Sequence, residues 1–205
     1  MTRRVICISR TLGAGGEEVA QQVARDLGFR YVDDEIVSRA AEEAGVSPDE
    51  IAKAEHSQPL VARILEAMAV IPGGFEGGYV APPVVPASAS YSHLIEHVIR
   101  ETAEAGSAVI VAHGASHPLA GRTDVLRVLI TASPDARARR LAHEGGLAEA
   151  AARKAIETSD RERARYLERF YQVKQELPTQ YDLTLNTDSV AVATAAGVII
   201  AAART

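Results

Sequence analysis

The stretch Val5-Ile6-Cys7-Ile8-Ser9-Arg10-Thr11-Leu12-Gly13-Ala14-Gly15-Gly16 decides how the rest of the chain is read. Val5–Ile8 is apolar on consecutive positions, so neither face of this strand is meant for water. That suits the centre of a parallel sheet. Gly13, Gly15 and Gly16 then form a flexible turn. Beyond it Val19, Ala20, Val23, Ala24 and Leu27 recur at helical spacing until Gly28 stops the helix. A strand, a glycine-rich turn and a helix in succession make a phosphate-binding device. Amides of the turn and of the first helical turn point at an anion, and the helix dipole adds to their pull. Gly13, Ala14, Gly15, Gly16, Glu17 and Glu18 are the candidate phosphate-binding residues.

The loop departs from the usual P-loop rule, G-x-x-x-x-G-K-[ST]. With Gly15 as the last glycine, Gly16 stands at the lysine position, and Glu17 and Glu18 follow where a hydroxyl is usual. A charge-assisted hydrogen bond of the missing kind is worth about 1.5–3 kcal/mol in stability terms. Arg10, at the other end of the loop, is the candidate replacement. Glu17 is unfavourable beside phosphates unless an arginine or a metal answers it.

Outward from this loop, strands and helices alternate. Phe29–Val32, Ala108–Val111, Val125–Thr131 and Leu183–Asn186 read as further strands. A helix after Asp33-Asp34 stops at Gly45. Another is signalled by Ser47-Pro48-Asp49-Glu50, where a cap, a first-turn proline and a capping-box acid agree. Helices are also expected at Leu60–Ala69, at His93–Ala105, from Ser133-Pro134-Asp135, and from Leu147 to about Gln175. The last, capped by Ser189, carries the Ala-rich run Val190–Ala203. Ile71–Ser92, with four glycines and four prolines, lacks periodicity and reads as a long binding or lid segment. The pattern predicts a three-layer α/β fold with about five parallel strands and helices on both faces.

Composition narrows the function. The 205 residues are 47% hydrophobic and 24% charged, which supports one folded domain over 1–205. A net charge of −5 lacks the basic footprint of a nucleic-acid binder, and 4% aromatics with no Trp offer no base-stacking platform. The longest apolar run is too short to span a membrane. One cysteine, Cys7, makes no internal disulfide and reads as a small core residue. With no signal peptide visible at Met1–Arg10, a cytoplasmic location is expected.

Ile8-Ser9-Arg10-Thr11-Leu12-Gly13-Ala14-Gly15-Gly16 resembles the start of the cytidylate kinase-like branch of the P-loop nucleoside monophosphate kinases, where the lysine is also absent. Gly28–Asp33, Val109–Val111, Ile130–Pro134 with Arg137 and Arg140, Asp160–Arg163 and Tyr181–Thr187 are similar to successive segments of that family. The resemblance implies a P-loop NTPase-like fold, with a helical acceptor-binding insertion at 46–92 and a lid at 137–165. It implies phosphoryl transfer from ATP, with Mg²⁺, to a pyrimidine monophosphate, most simply CMP or dCMP. Arg10, Arg137, Arg140 and Arg161 would neutralise charge. Asp33, His113, Asp160 and Arg163 would face the acceptor. The partner is then a small-molecule nucleotide, and a homo-oligomer is compatible with the chain. The turn Ala112-His113-Gly114 departs from the family's Gly-Arg-Gly or Gly-Arg-Cys, and Arg122 is a candidate to compensate. Asp33 also has a rival role as a helix N-cap.

Other motifs are explained more simply. His93-Leu94-Ile95-Glu96-His97 matches H-x-x-E-H, with Glu168 or Glu176 as conceivable third ligands. Leu94, Ile95, Val98 and Ile99 define the buried face of that helix, however, so both histidines sit on the solvated one, and no metal ligands are assigned. His113–His117 reads as a functional turn at the carboxyl end of a strand. The alternating charges of Arg153–Glu176 read as a solvated helix face. The second functional reading is a regulatory module that binds a nucleotide or other phosphate ligand without transferring phosphate. Gly16, Glu17 and His113 favour it.

Overall fold

The computed structural model describes residues 3–49, 89–111 and 113–205. The helix expected at Leu60–Ala69 and most of the 46–92 insertion lie outside these residues. Pro48 and Asp49, at the expected helix start, are helical.

Five strands form one parallel sheet. They are β1 (Val5–Arg10), β2 (Arg30–Val32), β3 (Ala108–Val111), β4 (Val125–Thr131) and β5 (Leu183–Asn186), in the order β2-β3-β1-β4-β5. β1 lies at the centre, as its apolar run requires. Its register pairs Ile8 with Val111 on one side and with Val128 on the other. Six α-helices are seen among the described residues: α1 (Gly16–Leu27), α2 (Glu35–Ala44), α3 (Ala89–Ala105), α4 (Pro134–Gly145), α5 (Glu149–Tyr171) and α6 (Val192–Ala203).

Alternation along β1 divides the core between the faces of the sheet. Val5 and Cys7 pack with Ile36, Ala40, Ile95 and Ile99 of α2 and α3. Ile6 and Ile8 pack with Val19 and Val23 of α1 and with Ala195 and Ile199 of α6. This is the expected three-layer arrangement. A smaller cluster, with Ala138, Leu141, Ala152 and Ile156, joins α4 to α5. Cys7 is sealed in the core, and burial pushes its thiol up to about 12, which leaves it an inert packing residue. His93 and His97 are exposed on α3, as the helix face requires. No helix among the described residues is long and apolar enough to cross a membrane.

Several boundaries follow local chemistry. Ser133 caps α4 by accepting from the Ala136 amide, with Pro134 in the first turn. Gly28, Gly45 and Gly146 end α1, α2 and α4 in the left-handed conformation. Three expectations are corrected. The N-cap of α6 is Ala191, without a side-chain bond, and not Ser189. The N-cap of α2 is Asp34, so Asp33 is not the cap. α5 stops at Tyr171 because Gln172 takes a left-handed φ of 55°.

Candidate active site

The loop after β1 is held from its carbonyl side. Arg137 Nε donates to the Leu12 carbonyl at 2.7 Å. Arg140 Nη1 donates to the Gly13 carbonyl at 2.5 Å. Thr187 Oγ1 donates to the Ala14 carbonyl at 2.8 Å. Three successive carbonyls are thus drawn toward α4 and the end of β5. The amides of Gly13, Gly15 and Gly16 find no acceptor among the described residues. Gly13 and Gly15 carry φ of 75° and 72°, and a Cβ on Gly13 would lie 2.8 Å from the Arg137 carbonyl oxygen. Gly15 caps α1 without a side-chain bond. Free amides, a helix N-terminus and a wall that admits no side chain together suit phosphate oxygens.

The missing lysine has a steric explanation. A Cβ built on Gly16 would meet Arg10 Cβ at 2.5 Å and Arg10 Cδ at 3.2 Å. The stem of Arg10 fills the space that a side chain at position 16 would use. Its guanidinium reaches Glu17 Oε1 with Nε at 3.0 Å and Nη2 at 2.5 Å. Nη2 also stands 3.8 Å from Asp33 Oδ2. One cation therefore lies between a carboxylate of the loop and one from the end of β2.

Asp33 belongs to a second cluster, beside the end of β3. Tyr31 donates its hydroxyl to Asp33 Oδ2 at 3.4 Å. His113 Nε2 lies 3.5 Å from Oδ1. Burial opposes the Asp33 charge, but the His113 hydrogen bond and the Arg10 charge outweigh it and hold the carboxyl below its ordinary range. His113 is buried, with a φ of 51°. Its carbonyl accepts the hydroxyls of Tyr166 at 3.1 Å and Tyr171 at 2.8 Å, both from α5.

α5 ties itself to the site at two further points. Asp160 takes the Nη1 and Nη2 groups of Arg137 at 2.9 and 2.7 Å, and Arg137 is only 4% exposed. Arg163 is bidentate to Glu176 at 2.9 and 2.5 Å. Glu176 also accepts the Tyr181 hydroxyl, and the Ser9 side chain lies beside Tyr181. Burial disfavours the Glu176 carboxylate, but Arg163 overrides it and holds its pKa below the ordinary value.

The expected site residues thus fall into distinct places. Gly13–Gly16, Arg10, Glu17, Asp33 and His113 come together around the carboxyl ends of β1, β2 and β3. Glu18 is exposed in the first turn of α1. Arg137 and Arg140 meet the loop on its carbonyl side. Asp160 and Arg163 are engaged by Arg137 and Glu176. Arg161 is exposed and donates to Thr158 Oγ1 at 3.4 Å. Arg122, the candidate to compensate for His113, is paired with Asp124 through Nε and Nη2 at 3.0 and 2.8 Å. Thr187, Tyr166 and Tyr171 were not singled out by the sequence, and Glu176 only as a conceivable metal ligand. Their partners lie 173, 53, 58 and 13 residues away, and no spacing rule joins such positions.

Comparison with solved structures shows the fold to be shared. An uncharacterized protein from Eubacterium ventriosum is 19% identical, with 98% of each chain covered and a TM-score of 0.70. A sugar kinase from Janibacter sp. is 12% identical over 99% of each chain, with a TM-score of 0.53. Protein TT1252 from Thermus thermophilus is 15% identical over 98% of this chain and 96% of its own, with a TM-score of 0.52. No curated protein matches the chain significantly. The family model described as the cytidylate kinase-like family matches residues 5–189 and supports a nucleotide-kinase-like activity. A match over nearly the whole length, including the central strand and the glycine loop that follows it, means that the chain belongs to the cytidylate kinase-like family.

Proposed function

We propose that the protein transfers the γ-phosphoryl group of ATP to a nucleoside monophosphate, with CMP or dCMP as the leading acceptors. The observation that carries this reading is the stem of Arg10 lying over Gly16. A cation then stands at the mouth of a cradle of free amides even though the loop has no lysine. Phosphoryl transfer is mostly positioning and charge neutralisation, so a well-placed arginine can stand in for other catalytic groups.

In this reading the amides of Gly13, Gly15 and Gly16 and the first turn of α1, where Glu17 and Glu18 lie, hold the donor phosphates. Arg10 neutralises the charge that develops during transfer. Arg137, Arg140 and Thr187 keep the cradle in shape by holding its carbonyls. Asp33 and His113 face the acceptor, and Asp160 and Arg163 fix α5 beside it. Residues 1–205 act as one domain, with 46–92 as the acceptor-binding insertion and 137–165 as the lid. The glycine cradle fits a polyphosphate. The carboxylate of Asp33 is a hard oxygen donor of the kind Mg²⁺ prefers, and Mg²⁺ held there would add charge neutralisation on the phosphate oxygens. The acceptor phosphate is already anionic, so no general base is required.

The test is transfer of labelled γ-phosphate from Mg-ATP across a panel of nucleoside monophosphates, with Arg10→Ala measured alongside. Transfer to one acceptor, lost by 100-fold or more in the variant, is expected; the lower bound sits below the ~10³-fold worth of a catalytic arginine. A specific observation favours the second reading, a phosphate-binding regulatory module: Arg10 is already held by Glu17. Nucleotide binding without turnover over any acceptor would establish that reading.

A further inference from the structure

We infer that Glu17 is a built-in anion that occupies Arg10 until a ligand phosphate takes its place, so that the loop sets its own threshold for phosphate. This rests on the reading of Gly13–Gly16 as a phosphate cradle.

The geometry has three parts. Glu17 is the second residue of α1, so its carboxylate sits where an anion is favoured by the unpaired amides and the dipole. Its Oε1 accepts Nε and Nη2 of Arg10 together, at 3.0 and 2.5 Å, and so occupies the two donors with which a guanidinium takes a phosphate. It is also the more exposed partner: the Glu17 side chain is 63% exposed and that of Arg10 is 22% exposed. The stem of Arg10 is fixed over Gly16, whereas Glu17 is free to swing into water.

The charge balance gives this pair a consequence. Arg10 is a single cation set between Glu17 and Asp33. A bare polyphosphate therefore meets an arginine whose charge is already answered twice. Asp33 is fixed by His113 and Tyr31, so Glu17 is the carboxylate that yields. When it leaves, Arg10 turns its two donors to the phosphate. Until then, stray anions are refused. The contact is an ion pair exchanged for another ion pair, and no bond is made or broken.

The experiment is calorimetric titration of the full chain with metal-free inorganic tripolyphosphate. Four proteins are compared: wild type, Glu17→Gln, Arg10→Ala and the double variant. The expected result is about fivefold tighter binding in Glu17→Gln than in wild type, a shift near 1 kcal/mol for a semi-exposed pair of this kind. The gain should vanish on the Arg10→Ala background, because the effect acts through Arg10. Equal or weaker binding in Glu17→Gln, or an equal gain without Arg10, would overturn the inference and leave the cradle intact. Absence of tripolyphosphate binding in both wild type and Glu17→Gln, each shown to be folded by its thermal transition, would overturn the cradle together with the inference.

Discussion

Gly114 shows how a single residue fixes the proposed acceptor end. It follows His113, and both have positive φ, 61° and 51°. The left-handed conformation costs an L-residue about 1–2 kcal/mol, and His113 bears this because two tyrosines hold its carbonyl. Gly114 has a second constraint. A Cβ there would lie 2.3 Å from the Tyr171 ring, and that ring carries the hydroxyl bonded to His113. Gly114→Ala should therefore destabilise the fold by about 2–4 kcal/mol, strain and overpacking together. The urea midpoint at unchanged m-value reports this, and a loss below about 0.5 kcal/mol would mean that Tyr171 moves aside freely. The sequence marked His113-Gly114 as a functional turn because it follows a buried strand. It could not mark Tyr166 or Tyr171, since aromatic residues on a charged helix carry no sign of the distant carbonyl they serve. Arg10 was legible only as the loop's nearest spare cation; that its stem excludes a side chain at Gly16 is a fact of three dimensions.

At the scale of the elements, α4 and α5 act on the loop as one unit. Arg137 is the joint, reaching Leu12 with one nitrogen and Asp160 with two others. The two partners are unequally exposed: Arg137 is 4% exposed and Asp160 is 43%. Removing Asp160 strands a buried cation, which costs about 3–5 kcal/mol in comparable pairs. Removing Arg137 leaves a half-exposed carboxylate and one unanswered carbonyl, for about 1–3 kcal/mol. Asp160→Ala should thus be the more damaging variant, and the double variant Asp160→Ala/Arg137→Met should recover part of the loss. Chemical denaturation of the three proteins measures the order, and equal single losses without recovery would refute it. The elements themselves were largely readable. β1, β3, β4 and β5 announced themselves by continuous apolar runs or turn residues, and α4 by Ser133-Pro134. The end of α5 was not readable, because Gln172 takes the left-handed conformation that glycine usually signals. The start of α6 was misplaced because its N-cap is Ala191, a residue with no oxygen to offer.

At the scale of the whole molecule, buried ionisable groups connect the helical layer to the central strand. Arg163, Glu176 and Tyr181 form a chain from α5 that reaches Ser9 at the end of β1, and His117 lies beside it, stacked on Tyr171 with ring centroids 5.1 Å apart. Burial lowers the pKa of His117 below its ordinary 6.5, against the pull of Glu176. Glu176 and Asp33 are held below their ordinary 4.5 and 3.8 by cationic or hydrogen-bonding neighbours that outweigh burial. The signs give two separate windows. As pH falls through 6.5, the unfolded chain protonates His117 while the folded chain resists, so stability declines. Below about 4.5 the unfolded chain protonates the two carboxylates first, so stability declines again, and their contribution is gone once pH passes below their folded values. His117→Asn keeps a planar polar group but cannot titrate. Urea midpoints at pH 7, 5.5 and 4 should therefore show both declines in wild type and only the acid one in the variant. A decline between pH 7 and 5.5 of equal size in both proteins would place its source outside His117. Loss of the acid decline in Glu176→Gln, with the histidine decline retained, would assign the second window to the chain that joins α5 to β1.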